Sequence, residues 1–258
     1  MKLSILGSCS GTEPFEKRHH TAFAIEIGDR IYWFDAGETC SYTAHLMGLD
    51  LLGVSDIFIS HPHMDHVGGL GNLLWNIRKL SKVKKQQPRY GDLHLYIPVM
   101  ETWEGVLAIL KNSEGGYQNN YQTLAHQVFD GVLLDNGEIR VTAMHNLHLK
   151  EPADGVWRSF SYLIEAEGKR IVFSGDIKDL SELSPWLRDG CDLLLMETGH
   201  HHPDEVCRRL TDEKYAVGRL GFLHHGRDIL DRYDETLEAC RAILPDVIFF
   251  DDKDTLEL

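Results

Sequence analysis

Short apolar, β-branched runs recur along this chain, separated by turn residues or by stretches with helical periodicity. Lys2–Leu6, Ala22–Ile27 and Arg30–Phe34 read as strands, and Gly28-Asp29 is the hairpin turn between the latter two. The pattern then predicts a helix from Glu38 to about Met47. Val54–Ser60 is apolar and β-branched, as a buried strand should be, and a turn and a helix through Arg78 follow Val67. Leu93–Ile97 reads as a strand and Val99–Lys111 as a helix. Asn112–Gln122, rich in Gly, Asn and Tyr, reads as a loop at a pocket mouth. Ile139–Met144, Phe160–Glu167 and Lys169–Phe173 are predicted strands, with a second hairpin turn around Gly168. Leu193–Met196, Leu220–Leu223 and Val247–Phe250 complete the strands. Asp204–Leu210 and Tyr233–Ile243 complete the helices. A run of strands followed by strands alternating with helices suits an α/β protein with two packed sheets and helices outside.

The chain has 258 residues, 43% of them hydrophobic, enough for one large core. No linker, internal repeat or low-complexity tract divides it, so a single domain over residues 1–258 is expected. No apolar stretch reaches transmembrane length, and no secretory signal opens the chain. Its five cysteines, Cys9, Cys40, Cys191, Cys207 and Cys240, are scattered and odd in number. That pattern fits reduced thiols in a cytoplasmic protein rather than a disulfide framework. The formal net charge of −14 argues against a long polyanionic partner such as RNA and favours a small substrate. One local exception is the basic run from Arg78 to Arg89, with Lys79, Lys82, Lys84 and Lys85 between. It reads either as a phosphate-facing patch or as solvated cations near a helix C-terminus, the second being the commoner case.

Chemistry concentrates in Ser60-His61-Pro62-His63-Met64-Asp65-His66, which packs three imidazoles and a carboxylate into six residues. Imidazole is the commonest neutral metal ligand and carboxylate a harder anionic one. An isolated His-x-His is usually surface polarity. Here a buried strand precedes the run and a helix follows it, so the ligands fall on a loop at a strand's C-terminal end, where α/β folds place their sites. His61 and His63 can aim one way while Asp65 and His66 aim another, so that two metals share one loop.

This ordered set of motifs resembles the metallo-β-lactamase superfamily, and most of all its tRNA 3′-processing endonuclease (RNase Z) branch. The matching segments are Leu3 to Thr12, Phe34-Asp35-Ala-Gly37-Glu38, the histidine run, and Phe173-Ser174-Gly175-Asp176. The resemblance implies a four-layer αβ/βα sandwich holding two divalent ions. His61 and His63 would serve the first metal, Asp65 and His66 the second, and Asp176 of the Ser-Gly-Asp turn would bridge them. The family's spacing from Val141-Thr-Ala143 selects His148 as the first metal's third ligand, leaving His145 structural. The strand Leu220–Leu223 runs into His224-His225, and the family pattern favours His224 as the late ligand. Gly226 stands where RNase Z typically has a hydroxyl residue. Asp35 would lie beneath the metals and orient a ligand histidine, or cap a helix. The cluster Glu197-Thr-Gly-His200-His201-His202 matches a place where relatives set a substrate-facing histidine. His200 is the candidate proton donor, against a plain polar loop. His19 and His20 have a weaker claim to the rim.

The ligand set predicts a binuclear hydrolase in which a metal-bridging hydroxide attacks and Asp65 positions it or shuttles its proton. The resemblance of the N-terminal motifs to the RNase Z branch implies a phosphodiester substrate, either a small molecule or a nucleotide. RNA is not favoured by charge, and nothing resembles the long tRNA-gripping arm of RNase Z. A carboxylic ester, lactone or thioester on the same scaffold is the alternative. A non-catalytic metal-binding protein ranks lower, as does a di-iron redox role, because His63 occupies the place of the acidic di-iron ligand. Nitrogen-rich ligands suit zinc, with manganese or iron also compatible. A homodimer is expected from the resemblance alone.

Overall fold

The structure, a computed structural model, describes residues 1–152 and 154–258. The chain divides into two compact units. The first comprises Met1–Gly7, Pro14–Val128 and Asp252–Leu258, and the second Ser8–Glu13 and Phe129–Asp251.

The first unit holds β1 (Lys2–Gly7), β2 (Ala22–Ile27), β3 (Arg30–Phe34), β4 (Val54–Phe58), β5 (Leu93–Ile97), β6 (Thr123–Gln127) and the chain's last strand, β14 (Thr255–Glu257). They form one seven-stranded sheet in the order β14-β1-β2-β3-β4-β5-β6. Pairing is antiparallel from β14 to β3 and parallel from β3 to β6. Its helices are α1 (Cys40–Leu46), α2 (Met64–Val67), α3 (Leu70–Lys84) and α4 (Met100–Lys111). On α3, Leu70, Leu73, Leu74 and Ile77 follow helical spacing and are fully buried against Trp33, Ile57 and Leu95 of the sheet. Each such side chain contributes about 1.5–3 kcal/mol on burial, before the entropy of ordering. An acid at Leu74 would break this contact. The stripe matters for function because α3 starts four residues after His66 and so anchors the histidine run.

Two boundaries differ from the sequence reading. Asp65 and His66 lie inside the short helix α2, not on a loop, and α3 runs on to Lys84 rather than stopping at Arg78. The residues beyond Arg78 are good helix formers, and partly buried Leu80 packs on the core, so nothing ends the helix there. Lys85 ends it in the left-handed region at φ 52°. β6 was not expected. It is half-buried, pairs with β5 alone and has no alternation of apolar and polar residues to announce it.

The second unit holds β7 (Gly131–Asp135), β8 (Ile139–His145), β9 (Phe160–Ala166), β10 (Lys169–Phe173), β11 (Leu193–Glu197), β12 (Leu220–Leu223) and β13 (Ile248–Phe249). Their order is β13-β12-β11-β10-β9-β8-β7. Here β10 to β13 pair in parallel and β7 to β10 antiparallel. Its helices are α5 (Ser184–Asp189), α6 (Pro203–Asp212), α7 (Arg227–Asp231) and α8 (Tyr233–Arg241). Val206, Cys207 and Leu210 of α6 and Cys240 of α8 are buried with Val172, Leu194, Met196 and Phe222 of the sheet. The short α5, α7, β7 and β14 escaped the sequence reading because elements of three to six residues carry too few positions to show a period. All five cysteines are buried thiols outside any disulfide. Among the described residues no helix is long and apolar enough to cross a membrane.

Candidate metal centre

In each unit the candidate residues follow the C-terminal ends of strands. In the first unit, β4 delivers Ser60 and the histidine run, and the neighbouring β3 delivers Asp35. Asp35 is fully buried, and its carboxylate accepts from Ser60 N–H at 2.6 Å, Ser60 Oγ at 2.8 Å and His66 Nδ1 at 2.7 Å. That contact fixes the His66 tautomer, with the proton on Nδ1 and Nε2 turned the other way, 3.4 Å from Asp65 Oδ2. Ser60 Oγ also lies 3.0 Å from His61 Nδ1, so the same hydroxyl orients a second imidazole. The His61 ring centre stands 4.6 Å from that of His63 and 4.0 Å from that of His66. His61, Asp65 and His66 are buried, whereas His63 is exposed. Asp35 does not cap α1; that helix starts after Thr39 with no side-chain cap.

Asp35 has φ 53°, a left-handed conformation that Asp tolerates better than most residues. The tight exit lets Ala36 N–H reach the His66 carbonyl at 2.7 Å. Gly37 follows because there is no room for more: a Cβ there would stand 2.4 Å from the His20 backbone and 2.7 Å from the Asp65 carbonyl oxygen.

In the second unit, Asp176 follows β10 through Gly175, which has φ 53°. Its two oxygens address different imidazoles. Oδ1 lies 3.4 Å from His224 Nε2, while Oδ2 lies 3.6 Å from His148 Nε2 and 3.8 Å from His200 Nδ1. His224 leaves β12 at φ 53°. The segment after β1 supports that exit: His225 N–H donates to the Ser8 carbonyl at 2.8 Å, and Ser10 Oγ donates to the His225 carbonyl at 2.8 Å. His225 itself points elsewhere, with Nε2 2.6 Å from the Phe250 carbonyl. His145 also lies apart, stacked on Trp157 at 3.9 Å and bonded to Asp130 at 2.6 Å. His19 is held by Asp252 at 2.6 Å in the first unit.

Sequence reasoning under-weighted three residues. Glu197, at the end of β11, is almost fully buried and accepts from His200 N–H at 2.9 Å and His200 Nδ1 at 3.0 Å. His224 Nδ1 lies 3.6 Å from it. Burial alone would raise the Glu197 pKa; the hydrogen bonds from His200 and the nearby His224 ring outweigh it and lower the pKa. The same bond to Glu197 raises the His200 pKa against the opposing effect of burial. Gly199 is the second: a Cβ there would stand 2.6 Å from His224 Cε1. Glu182 is the third. It closes a capping box with Asp179, and its Oε2 accepts Leu147 N–H at 2.5 Å, fixing the segment that carries His148. The sequence signal for that box was Asp179-Leu-Ser-Glu182.

The donor chemistry fits a divalent ion. In the second unit alone, ligand atoms from Asp176, Glu197, His200 and His224 all lie within 4.8 Å of one another. Four-coordinate zinc with nitrogen and oxygen ligands near 2 Å needs donor separations of about 3.3 Å. Nitrogen and carboxylate donors with imidazoles fixed by carboxylate partners are what such an ion requires.

The sequence profile of the family described as anti-Pycsar protein Apyc1 matches residues 1–211. The chain belongs to this family. Ribonuclease Z of Pyrococcus horikoshii is 30% identical over 183 residues, covering 69% of this chain and 53% of that protein. The chain thus spans about half the length of the first curated relatives it matches. Human tRNase Z, short form, superposes with a TM-score of 0.73 at 17% identity, covering 100% of this chain and 99% of that one. A diphosphatase of the PhnP family superposes at 0.68 and 18% identity, covering 100% and 97%. This Apyc1-family protein is an RNase Z-like member of the metallo-β-lactamase superfamily, and its two mixed sheets with their helices have the metallo-β-lactamase fold.

Proposed function

We propose that the chain is a metal-dependent hydrolase of phosphodiesters in which the two units act as one catalytic domain. The observation that carries this reading is Asp176, whose two oxygens address His224 and His148 separately, as a carboxylate shared between two ions would. In this reading His61, His63, Asp65, His66, His148, Asp176 and His224 are the residues that would hold two divalent ions. Two such ions would make water acidic enough to attack at neutral pH and would withdraw charge from a phosphate oxygen. The chain's own residues do the rest. Asp35 and Ser60 keep His66 and His61 in the ligating tautomer. Asp65 takes the proton released as water attacks. His200, kept protonated by Glu197, donates to the leaving oxygen. The excess of acidic residues supports a small or nucleotide phosphodiester over a long RNA, and relatives named ribonuclease Z and diphosphatase support phosphorus over carbonyl chemistry.

The test is turnover of a chromogenic bis-aryl phosphodiester with zinc or manganese supplied. Metal-dependent turnover lost in Asp176→Ala supports the reading. A metal-loaded protein that leaves the diester intact and hydrolyses a lactone or thioester refutes it.

A further inference from the structure

The basic run after Arg78 separates into two groups in the structure. Lys84 and Arg89 are neutralised: Lys84 Nζ lies 3.2 Å from Asp50, and Arg89 bonds Asp50 at 2.7 Å and Asp29 at 3.0 Å. Lys82 and Lys85, with the buried Arg78 beside them, line one side of a cleft of about 390 Å³ at the C-terminal end of α3. Lys82 and Lys85 form no ion pair among the described residues. Arg78 is 2% exposed, an unusual burial for a guanidinium, and lies over the Trp75 ring. The opposite wall is Asn119, Asn120 and Tyr121, joined to the first by a bond from Gln87 Nε2 to the Asn120 carbonyl at 3.3 Å.

Two features go beyond a solvated helix end. Among the described residues no carboxylate lines the cleft, although the chain carries 40 acidic against 26 basic side chains. And Tyr121, only 7% exposed, lines the cleft with a buried hydroxyl that has no hydrogen-bond partner among the described residues. A buried donor left in that state is destabilising, and a ligand acceptor would relieve it after a small side-chain movement. The α3 C-terminus opposes an anion with only about half a negative charge, against the two lysines Lys82 and Lys85. The side-chain amides of Gln86, Gln87 and Asn119 add donors and acceptors of the kind that read a base or ribose.

We propose that this cleft binds the phosphate of a nucleotide. The site is distinct from the candidate metal centre, since Lys82 lies about 18 Å along α3 from Leu70 at 1.5 Å per residue. The phosphate can come from a free mononucleotide or from within a single RNA strand.

Binding, not hydrolysis, is the readout, so the result stands whatever the metal centre does. Fluorescein-labelled AMP and a labelled ten-nucleotide RNA are titrated into the full-length protein with EDTA present, at several salt concentrations. For at least one probe, Lys82→Gln with Lys85→Gln should weaken binding about tenfold or more and flatten the log–log salt dependence by about 1.4 for the RNA, at 0.7 per lost cation. Tyr121→Phe should weaken it by a smaller factor. Lys84→Gln, removing a cation already paired with Asp50, should change affinity less than twofold. Loss with the AMP probe identifies a free nucleotide, and loss with RNA alone identifies a strand. Failure of both probes to bind, or equal affinity in the Lys82/Lys85 variant and the native protein, overturns the proposal.

Discussion

Asp35 supports the most demanding test. Its carboxylate is fully buried and takes three hydrogen bonds, two from Ser60 and one from His66. Asp35→Ala strands the Ser60 N–H and the His66 Nδ1–H, whereas the Ser60 hydroxyl is free to rotate. Two buried donors left unmatched cost about 2–6 kcal/mol together. Alanine held at the φ of 53° adds about 1 kcal/mol. A chain of this size loses about 2–4 °C per kcal/mol, so Tm should fall on the order of 10 °C. Asp35→Asn separates charge from shape. Asparagine tolerates the left-handed turn and keeps one acceptor oxygen, but its amide faces a donor and no longer fixes the His66 proton on Nδ1. Its Tm should fall less than in the alanine variant, while affinity for zinc, measured by competition with a chromophoric chelator, falls about 10- to 100-fold. An asparagine variant that matches the native protein in both Tm and zinc affinity would refute the orienting role.

The other predictions are narrower. Asp176→Ala should abolish metal-dependent diester hydrolysis, and Asp65→Ala should lower kcat more than it raises KM; steady-state kinetics on the chromogenic diester checks both. Gly199→Ala puts a methyl group 2.6 Å from His224 Cε1, so it should weaken zinc binding with little loss of Tm, read by the same chelator titration. The Arg209 guanidinium beside Asp179 holds that carboxyl well below the usual carboxylate range. The folded-state pKa is depressed, so this stability is present above about pH 4 and is lost as pH falls further. After discounting for its exposure the pair contributes about 0.5–1 kcal/mol, and a Tm–pH profile of Asp179→Asn, which keeps the cap, should run about 1–4 °C below native at pH 7 and converge with it in acid.

What the chain revealed in advance was whatever had local periodicity or dense chemistry. The buried strands β1 to β5 and β8 to β12 announce themselves as apolar runs, and the histidine run announces itself by composition. The unread parts depend on distant neighbours. β6 exists because β5 offers it an edge, not because Thr123–Gln127 has strand character. The fate of the basic run was equally hidden: nothing local says that Lys84 meets Asp50 while Lys82 faces Asn119 and Tyr121 across a cleft.

The same logic explains why the histidine pairs were harder to sort than the first cluster. His145 and His148, or His224 and His225, differ little in composition or in strand context. They separate through contacts that sequence spacing does not encode: Trp157 and Asp130 capture His145, and the Phe250 carbonyl captures His225. Each captured histidine is then turned from the carboxylate that its neighbour meets. Asp35, Gly175 and His224 share a left-handed φ at strand exits, so backbone geometry and ligand direction are set together. The Ser8 and Ser10 contacts to His225 extend this to the N-terminal motif: its small polar residues serve the backbone that aims a histidine more than two hundred positions away. A substitution at Ser10 therefore acts on the candidate centre without contributing a ligand to it.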